Sequence, residues 1–338
     1  MKTHRLYIDG IALWSPALQN WAQARPALQG EIGGKVAAEI PDERSVASSV
    51  VSSVVSSVVS SVASSVASSA ANWPDGGAEH PPPLAPPPPQ PQVQRPSPAL
   101  LGANERRRAP DSVLVALEVA AAAVAMAGQD AATLASVFTS AHGDLAIVDA
   151  LCSTLAANPQ LLSPTRFHHS VHNAASGYWA MATGCRAASS AVSAYEASFA
   201  VGLLEAATQA HADHTPVLLV GFDTDARGAL ASVNRSRGLL GVALVLAPQR
   251  SAASCFALDW SFEAGSIALP PLASAAARAL AGNAMADALP LFEALARKTG
   301  TALALPLGPA GILRLQTIPL LIPLLIPLPT PLPTPLPP

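Results

Sequence analysis

The stretch from Pro164 to Glu205 holds the residue types that could do chemistry: histidines, an asparagine, aromatics and one acid among small residues. A predicted loop with His172 and Asn173 comes first, and a strand-to-helix corner from Tyr195 to Ser198 follows. Because the first N–H groups of a helix have no intrahelical partner, a side chain at such a corner lies in a positive, partly dry pocket. A nucleophile is expected there. The candidate site residues are His172, Asn173, Tyr195, Glu196 and Ser198.

The elements that position these residues can be predicted from local pattern. An Ala-rich helix is expected from Ala174 to Thr183, with a turn at Gly184. A strand of small residues is expected from Ser189 to Ala194, and a second helix continues from the corner through Glu205. The corner therefore joins the end of a strand directly to the start of a helix.

Three motifs carry a resemblance to a known family. They are the SVHNAASG loop, the SAYEASFAVGLLEA corner and an upstream ERRR motif, Glu105 to Arg108. The chain resembles the N-terminal half of β-ketoacyl synthases of the thiolase-like fold. It is closer still to short β-ketoacyl synthase-like proteins, the chain-length-factor-like partners of aryl polyene and related polyketide clusters. The resemblance covers Leu6 to Trp21 and Pro98 to Leu315.

The resemblance implies an α/β fold, a thiolase-like half-fold with a mixed five-stranded sheet flanked by helices. Strands are predicted at Arg5–Leu13, Ser136–Ser140, Ser189–Ala194, Thr215–Phe222, Gly241–Leu246, Phe256–Phe262, Ala302–Leu307 and Ile312–Leu315. Besides the helix from Ala174, helices are predicted around Trp21 and at Val113–Met126, Leu145–Ala157 and Asn283–Arg297.

The family's catalytic cysteine has no counterpart in this sequence. When the two patterns are laid together through Gly184, Arg186 and Ser198, the nucleophile position falls on Glu196, so we expect no catalytic residue at this vestigial position. The resemblance implies two histidines and a lysine from a C-terminal half, which we do not expect here because only a proline-rich tail follows Leu315. Cys185 precedes the corner by about eleven residues and is expected to be a packed thiol.

Three roles are open to Glu196. Its carboxylate could lock the corner by binding the helix N–H groups, or it could contact an acyl chain or a partner's pocket. General acid–base work would require that burial raise its pKa.

The favoured function is a non-catalytic partner that shapes an acyl-chain pocket in polyketide or fatty-acid-type biosynthesis. The strand from Ala188 to Ala194 is nearly all small residues and could approach a second strand across a dyad. The expected partners are a full-length ketosynthase, as a heterodimer, and an acyl carrier protein; no cofactor is expected. One alternative is a stand-alone acyltransferase or thioesterase that uses Glu196 or Ser198, although no G-x-S-x-G motif surrounds Ser198. Another is a non-functional, repeat-expanded remnant.

Polar residues also follow two of the predicted strands. His142 to Asp144 come after the strand ending at Ser140, and Asp223 to Asp225 come after the strand ending at Phe222. The carboxyl ends of strands line the ligand crevice of open α/β sheets. The alternative at both places is an ordinary turn.

The histidine patterns do not predict a metal site. His168, His169 and His172 form H-H-x-x-H, and His211 and His214 form H-x-x-H. A structural zinc site needs four ligands, usually with closely spaced cysteines. We therefore expect no metal.

Composition excludes several classes of function. The net charge of −3 gives no reason to expect nucleic acid as a partner. The three cysteines are far apart, which predicts reduced thiols and a cytoplasmic location. No signal peptide is expected because Asp9 precedes any apolar run. The apolar tail contains too many prolines to form a membrane-spanning helix.

The chain divides into four predicted parts. Residues 1–44 carry the first strand and helix of the thiolase-like domain, and residues 98–315 carry the remainder. Between them, residues 45–97 form a Ser/Val repeat and polyproline insertion, and residues 316–338 form a Pro/Leu-rich tail. Both low-complexity segments are expected to be disordered.

Overall fold

The computed structural model describes residues 3–30 and 94–320. The Ser/Val repeat and almost all of the polyproline insertion lie outside these residues, as does the tail after Leu320. Within the described ranges, no helix is both long and apolar enough to cross a membrane.

The described residues form one mixed sheet. Its strands are β1 (His4–Trp14), β2 (Ala135–Thr139), β3 (Ser189–Val192), β4 (Val217–Asp223), β5 (Leu240–Ala247), β6 (Phe256–Ala264), β7 (Thr301–Pro306) and β8 (Gly311–Pro319). They lie in the order β3-β2-β4-β5-β1-β6-β8-β7. β2 is parallel to β3 and β4, and the other neighbours are antiparallel. The predicted mixed sheet flanked by helices is confirmed.

The predicted number of five strands is wrong, because the sheet has eight. Each of the eight strands lies close to its predicted position in the sequence. That all eight join one sheet was not predicted. The first residues of β1, His4 to Ile8, pair with β6, which in turn pairs with β8. This pairing adds β6, β8 and β7 beyond β1.

Helices cover both faces of this sheet. They are α1 (Trp21–Leu28), α2 (Ala103–Arg108), α3 (Asp111–Ala127), α4 (Leu145–Ala157), α5 (Pro164–Ser170), α6 (Ala174–Thr183), α7 (Ser198–Asp213), α8 (Ala275–Leu280) and α9 (Leu289–Arg297). The predicted helix from Asn283 begins only at Leu289, after a 3₁₀ turn at Ala286–Ala288. The helices predicted at Val113–Met126, Leu145–Ala157 and Ala174–Thr183 are confirmed to within about two residues at each end. The helix predicted through Glu205 continues to Asp213.

Alternation along the strands divides the apolar core into two layers. Every residue of β4 is buried. Leu218 and Val220 pack on one face with α3 and α6, whereas Val217 and Leu219 pack on the other with α1, α7 and α9. Successive side chains of a strand point to opposite faces, so a continuous apolar run such as β4 requires cover on both sides.

The last strand extends further than the sequence predicts. β8 runs to Pro319, and Gln316 pairs with Asp259 on one side and Ala302 on the other. The predicted start of the tail at residue 316 is therefore too early. Because β8 has a neighbouring strand on each side, its backbone hydrogen bonds continue into residues 316–319, which the sequence assigned to the proline-rich tail.

Close packing holds α7 against β2. A Cβ atom at Gly202 would lie 2.9 Å from the Cβ and Cγ2 atoms of Thr139. Only glycine allows this approach, and it fixes the start of α7 beside the end of β2.

Candidate functional site

The strand-to-helix corner is a sharp turn with its strain at Tyr195. β3 ends at Val192, a 3₁₀ turn covers Tyr195–Ala197, and α7 starts at Ser198. Tyr195 has φ of 53°, in the left-handed region that bulky residues rarely adopt. The residue with the unusual backbone is therefore the one before Glu196.

Ser198 is a structural part of this corner. Its hydroxyl donates to the carbonyl of Tyr195 at 2.8 Å and accepts from the N–H of Ala194 at 3.0 Å. Thr139 Oγ1 donates to the Ser198 carbonyl at 2.7 Å, and Ser198 is fully buried. The hydroxyl closes the turn and does not reach solvent.

Glu196 does not bind the N–H groups of α7. It is exposed, and in the described part of the chain its carboxylate accepts no hydrogen bond. Of the three roles left open for Glu196, binding of the α7 N–H groups is the one that the structure does not show. Because Glu196 precedes the helix within the 3₁₀ turn, its side chain lines a surface cleft of about 240 Å³ instead. The cleft is lined by Ala141, His142, Tyr195, Glu196, Val233, Arg235 and Ala284.

Asp287, and not Glu196, binds the N–H groups at the start of α7. Its Oδ2 accepts from Phe199 N at 2.9 Å and Ala200 N at 3.2 Å. Burial raises the pKa of Asp287 to about 8, an effect that the two N–H donors offset only in part and that the nearby Asp223 increases. The neutral acid therefore predominates at neutral pH.

Asp287 could not be recognised from the sequence. It comes 88 residues after Phe199, on the turn that leads into α9. The one signal was a single acid within the apolar run from Met285 to Phe292.

A second buried carboxyl group, Asp223, holds the loop after β2. It accepts from Ser140 Oγ at 2.7 Å, Ala141 N at 2.9 Å and His142 N at 3.3 Å. Burial raises its pKa to about 6, and these three donors lower it in part. The two segments that follow β2 and β4 are thus joined to each other, and Asp223 is fully used by this contact.

His172 reaches the same loop, whereas Asn173 does not. His172 Nε2 lies 2.9 Å from the carbonyl oxygen of Ser140. Asn173 precedes α6 and makes no side-chain capping bond. His142 faces the ring of Tyr195 at 5.6 Å between centroids, and burial lowers its pKa. The structure therefore brings His142, Tyr195 and Glu196 together in the cleft. His172 does not line the cleft but contacts the loop that carries His142.

Comparison with known families decides which family the chain represents. The sequence profile described as "Beta-ketoacyl synthase, N-terminal domain" matches residues 81–304. This chain belongs to the β-ketoacyl synthase N-terminal domain family.

Solved structures show the same thiolase-like fold at low sequence identity. A chain of the ketosynthase ApeO in complex with its chain length factor ApeC, from Xenorhabdus doucetiae, is 19% identical with a TM-score of 0.58. That match covers 92% of this chain and 98% of the other. The ishigamide ketosynthase/chain length factor gives 13% identity and a TM-score of 0.55, over 93% and 99% of the two chains.

A third structure is a type II polyketide synthase acyl-carrier protein in complex with its ketosynthase, AntDE:AntF. It gives 9% identity and a TM-score of 0.59, over 94% of this chain and 100% of the other. No curated protein sequence matches this chain significantly.

This β-ketoacyl synthase-family chain has no thiol at the corner. Cys185 Sγ donates to the carbonyl of Leu134 at 3.4 Å. Leu134 immediately precedes β2, so Cys185 lies at the opposite end of β2 and β3 from the corner. Its thiol is packed against the start of the sheet.

The other histidines form aromatic contacts. His169 Nε2 lies 2.8 Å from the Tyr178 hydroxyl, and burial lowers the pKa of His169. His211 contacts the ring of His4 at 4.5 Å and that of His214 at 6.4 Å between centroids. Among residues 3–30 and 94–320, no group of three or more His, Cys, Asp or Glu side chains is arranged to hold a metal ion.

The strand that leads to the corner lies at the edge of the sheet. β3 pairs with β2 on one side, and Ser189 and Ala191 are exposed. Two exposed large apolar side chains are close to this edge: Met181 belongs to α6, which contacts β3, and Tyr195 comes three residues after β3 ends.

Proposed function

We propose that this chain is a non-catalytic β-ketoacyl synthase-like partner. It pairs with a full-length ketosynthase and shapes the acyl-chain pocket of a polyketide or fatty-acid-type synthase, of the aryl polyene or a related type. The observation that carries this proposal is the corner itself, which has no thiol and whose helix N–H groups are already bound by Asp287.

Decarboxylating condensation needs two things that the corner lacks. A thiolate must carry the acyl chain, and free donors must stabilise the negative charge that develops on oxygen. Tyr195, Glu196 and Ser198 supply no thiolate, and the N–H groups of Phe199 and Ala200 are occupied. Cys185 is packed at the far end of the strands.

The edge strand supports a partner at this side of the sheet. An open edge presents unpaired N–H and C=O groups, and the small side chains of β3 allow a second strand to approach closely. The exposed apolar residues beside the edge, Met181 and Tyr195, favour contact with a protein surface. In the proposed complex a catalytically complete ketosynthase pairs with this edge through a strand of its own, and an acyl carrier protein delivers the substrate.

The small size of the cleft supports an acyl pocket that is shared with a partner. Ligand pockets are usually about 300–1,000 Å³. The cleft beside Glu196 is about 240 Å³, and Arg235 and His142 contribute polar lining. In the proposed complex this chain supplies one wall of the pocket, and its partner supplies the rest.

The stand-alone enzyme alternative gains no support from Ser198. Its hydroxyl is buried and is engaged both as donor and as acceptor. The remnant alternative depends on repeats that lie outside the described residues.

Acyl transfer from labelled carrier-protein thioesters tests the proposal. The purified chain alone should acquire no covalent label and form no product, whereas addition of a ketosynthase that co-purifies with it should give elongated product. Covalent label on this chain in the absence of a second protein would overturn the proposal.

A substitution at the cleft tests the shared pocket. Glu196→Gln should leave the complex with the ketosynthase intact but change the distribution of product lengths, because the side chain lines the cleft. Asp213→Asn, at the exposed far end of α7, is the matched control and should change neither. Equal product distributions for both variants would contradict a role for Glu196 in the pocket.

A further inference from the structure

A second, larger cavity lies away from the corner, between α1, the end of α9 and the start of β6. Its volume is about 880 Å³, within the usual range for a small-molecule site. It has no lining residue in common with the cleft beside Glu196. The residues that matter for its chemistry are Ile11, Ala22, Arg25, Cys255, Phe256, Leu295 and Lys298.

The cavity exists because β1 loses a neighbour partway along its length. β1 pairs with β6 only as far as Ile8, although it continues alongside β5 to Trp14. Beyond this point the N–H of Ile11 donates to Met126 Sδ at 3.4 Å. Side chains of α1 cover the strand edge loosely in place of a strand.

The floor of the cavity is apolar and buried. Ile11, Phe256 and Leu295 are each at most 3% exposed. Ala22 and Lys298 are exposed and lie at the rim. A chain-like apolar ligand can therefore enter between α1 and the end of α9 and lie on a dry floor.

The charged groups of the cavity are both cations. Arg25 and Lys298 line it, and none of its lining residues in the described ranges is Asp or Glu. Arg25 Nε is buried and, among the described residues, has no hydrogen-bond partner. Because this nitrogen has almost no accessible surface, Arg25 attracts an anionic ligand through the charge of its guanidinium and not through Nε.

The surroundings of Cys255 indicate that both cations act on the same space. Burial raises the pKa of its thiol, as does the nearby Asp9, whereas Lys298 and Arg25 lower it. Asp9 does not line the cavity, and its carboxylate accepts from Ser251 and Ser254. The charged side chains that line the cavity are therefore cations, while Asp9 outside the lining adds a negative contribution at Cys255.

We propose that this cavity binds a single-chain amphiphile that ends in an anion. The apolar chain lies against Ile11, Phe256 and Leu295, and a carboxylate or phosphate head binds Arg25 and Lys298. The site is separate from the proposed function and does not depend on it.

Calorimetric titration of the full-length protein with octanoate, decanoate and dodecanoate, below their micellar concentrations, tests the proposal. Each added methylene buried on the floor should tighten Kd by about fourfold. Dodecyl phosphate distinguishes a phosphate head from a carboxylate head. Dodecanol, with the same chain and no charge, should bind at least about tenfold more weakly than the better of the two anions.

Variants locate the site. Arg25→Gln and, separately, Lys298→Gln should weaken dodecanoate binding by about tenfold while circular dichroism stays unchanged. Ala22→Trp at the rim should weaken dodecanoate binding because the indole obstructs the entrance to the cavity. Arg108→Gln, at an exposed arginine outside the cavity, should bind as the wild type does. Absence of binding, dodecanol binding as tight as dodecanoate, or equal effects of Arg25→Gln and Arg108→Gln would overturn the proposal.

Discussion

Asp287 determines what the start of α7 can do. A helix N-terminus is a ready anion site, but here a largely neutral carboxylic acid occupies two of its N–H groups from inside the protein. Its other oxygen, Oδ1, is buried without a hydrogen-bond partner among the described residues. The Asp287 carboxyl group thus binds two N–H groups of the helix, and its burial keeps it protonated at neutral pH.

This arrangement predicts a particular dependence of stability on pH. Because the pKa of Asp287 is about 8 in the folded protein and about 3.9 when unfolded, the folded state binds the extra proton. Its contribution to the free energy of unfolding is greatest below about pH 4 and falls as pH rises to about 8. Asp223, with a pKa of about 6, adds a similar fall over the lower part of that range.

Asp287→Asn should remove the contribution of Asp287 to the pH dependence of stability, which is the larger of the two. The amide oxygen can still accept from Phe199 and Ala200, but the side chain no longer titrates. Urea unfolding at about pH 5, 7 and 9 should show that the variant gains stability relative to wild type as pH rises. Asp213→Asn, at an exposed site, should follow the wild type. If Asp287→Asn and the wild type lost the same free energy of unfolding between about pH 5 and pH 9, Asp287 would not be the group responsible for the pH dependence.

At the scale of elements, the corner depends on how closely α7 approaches β2. Gly202 allows the helix to rest on Thr139, and the hydroxyl of that threonine binds the carbonyl of Ser198. The same strand ends at the loop that Asp223 and His172 hold. The position of the cleft is therefore set by the packing of one helix on one strand.

Two glycine substitutions should have opposite effects. Gly202→Ala places a Cβ at 2.9 Å from Thr139 and should lower the free energy of unfolding by about 1–3 kcal/mol. Gly177→Ala, within α6 and with nothing inside 4 Å of the new Cβ, should raise it by up to about 1 kcal/mol. Chemical denaturation measures both. A Gly202→Ala variant as stable as wild type would show that α7 can shift away from β2 without cost.

At the scale of the whole molecule, the sheet has two different edges. β3 ends one side, next to the corner and to exposed apolar residues. β7 ends the other side, beyond the strands added through β6 and β8. The proposed partner uses the first edge.

Charges placed on the two edges should separate their roles. Ala191→Lys on β3 should abolish co-purification with the ketosynthase, because a charged side chain on an edge strand disfavours pairing with another chain. Ala302→Lys on β7 is the matched control, since both alanines are exposed on edge strands. Thermal unfolding should show that both variants fold. Loss of the complex in both variants, or in neither, would contradict pairing through β3.

The sequence by itself determined the strands, most helices and the family. These follow from local information: apolar runs such as β4, glycine at helix ends and motifs of a few consecutive residues. Only the tertiary structure decided that the sheet has eight strands, that Glu196 faces a cleft and that Asp287 binds the start of α7. Each of these depends on residues that are far apart in the chain and are brought together by strand pairing and burial. A local sequence pattern does not specify which distant residue a buried group will contact.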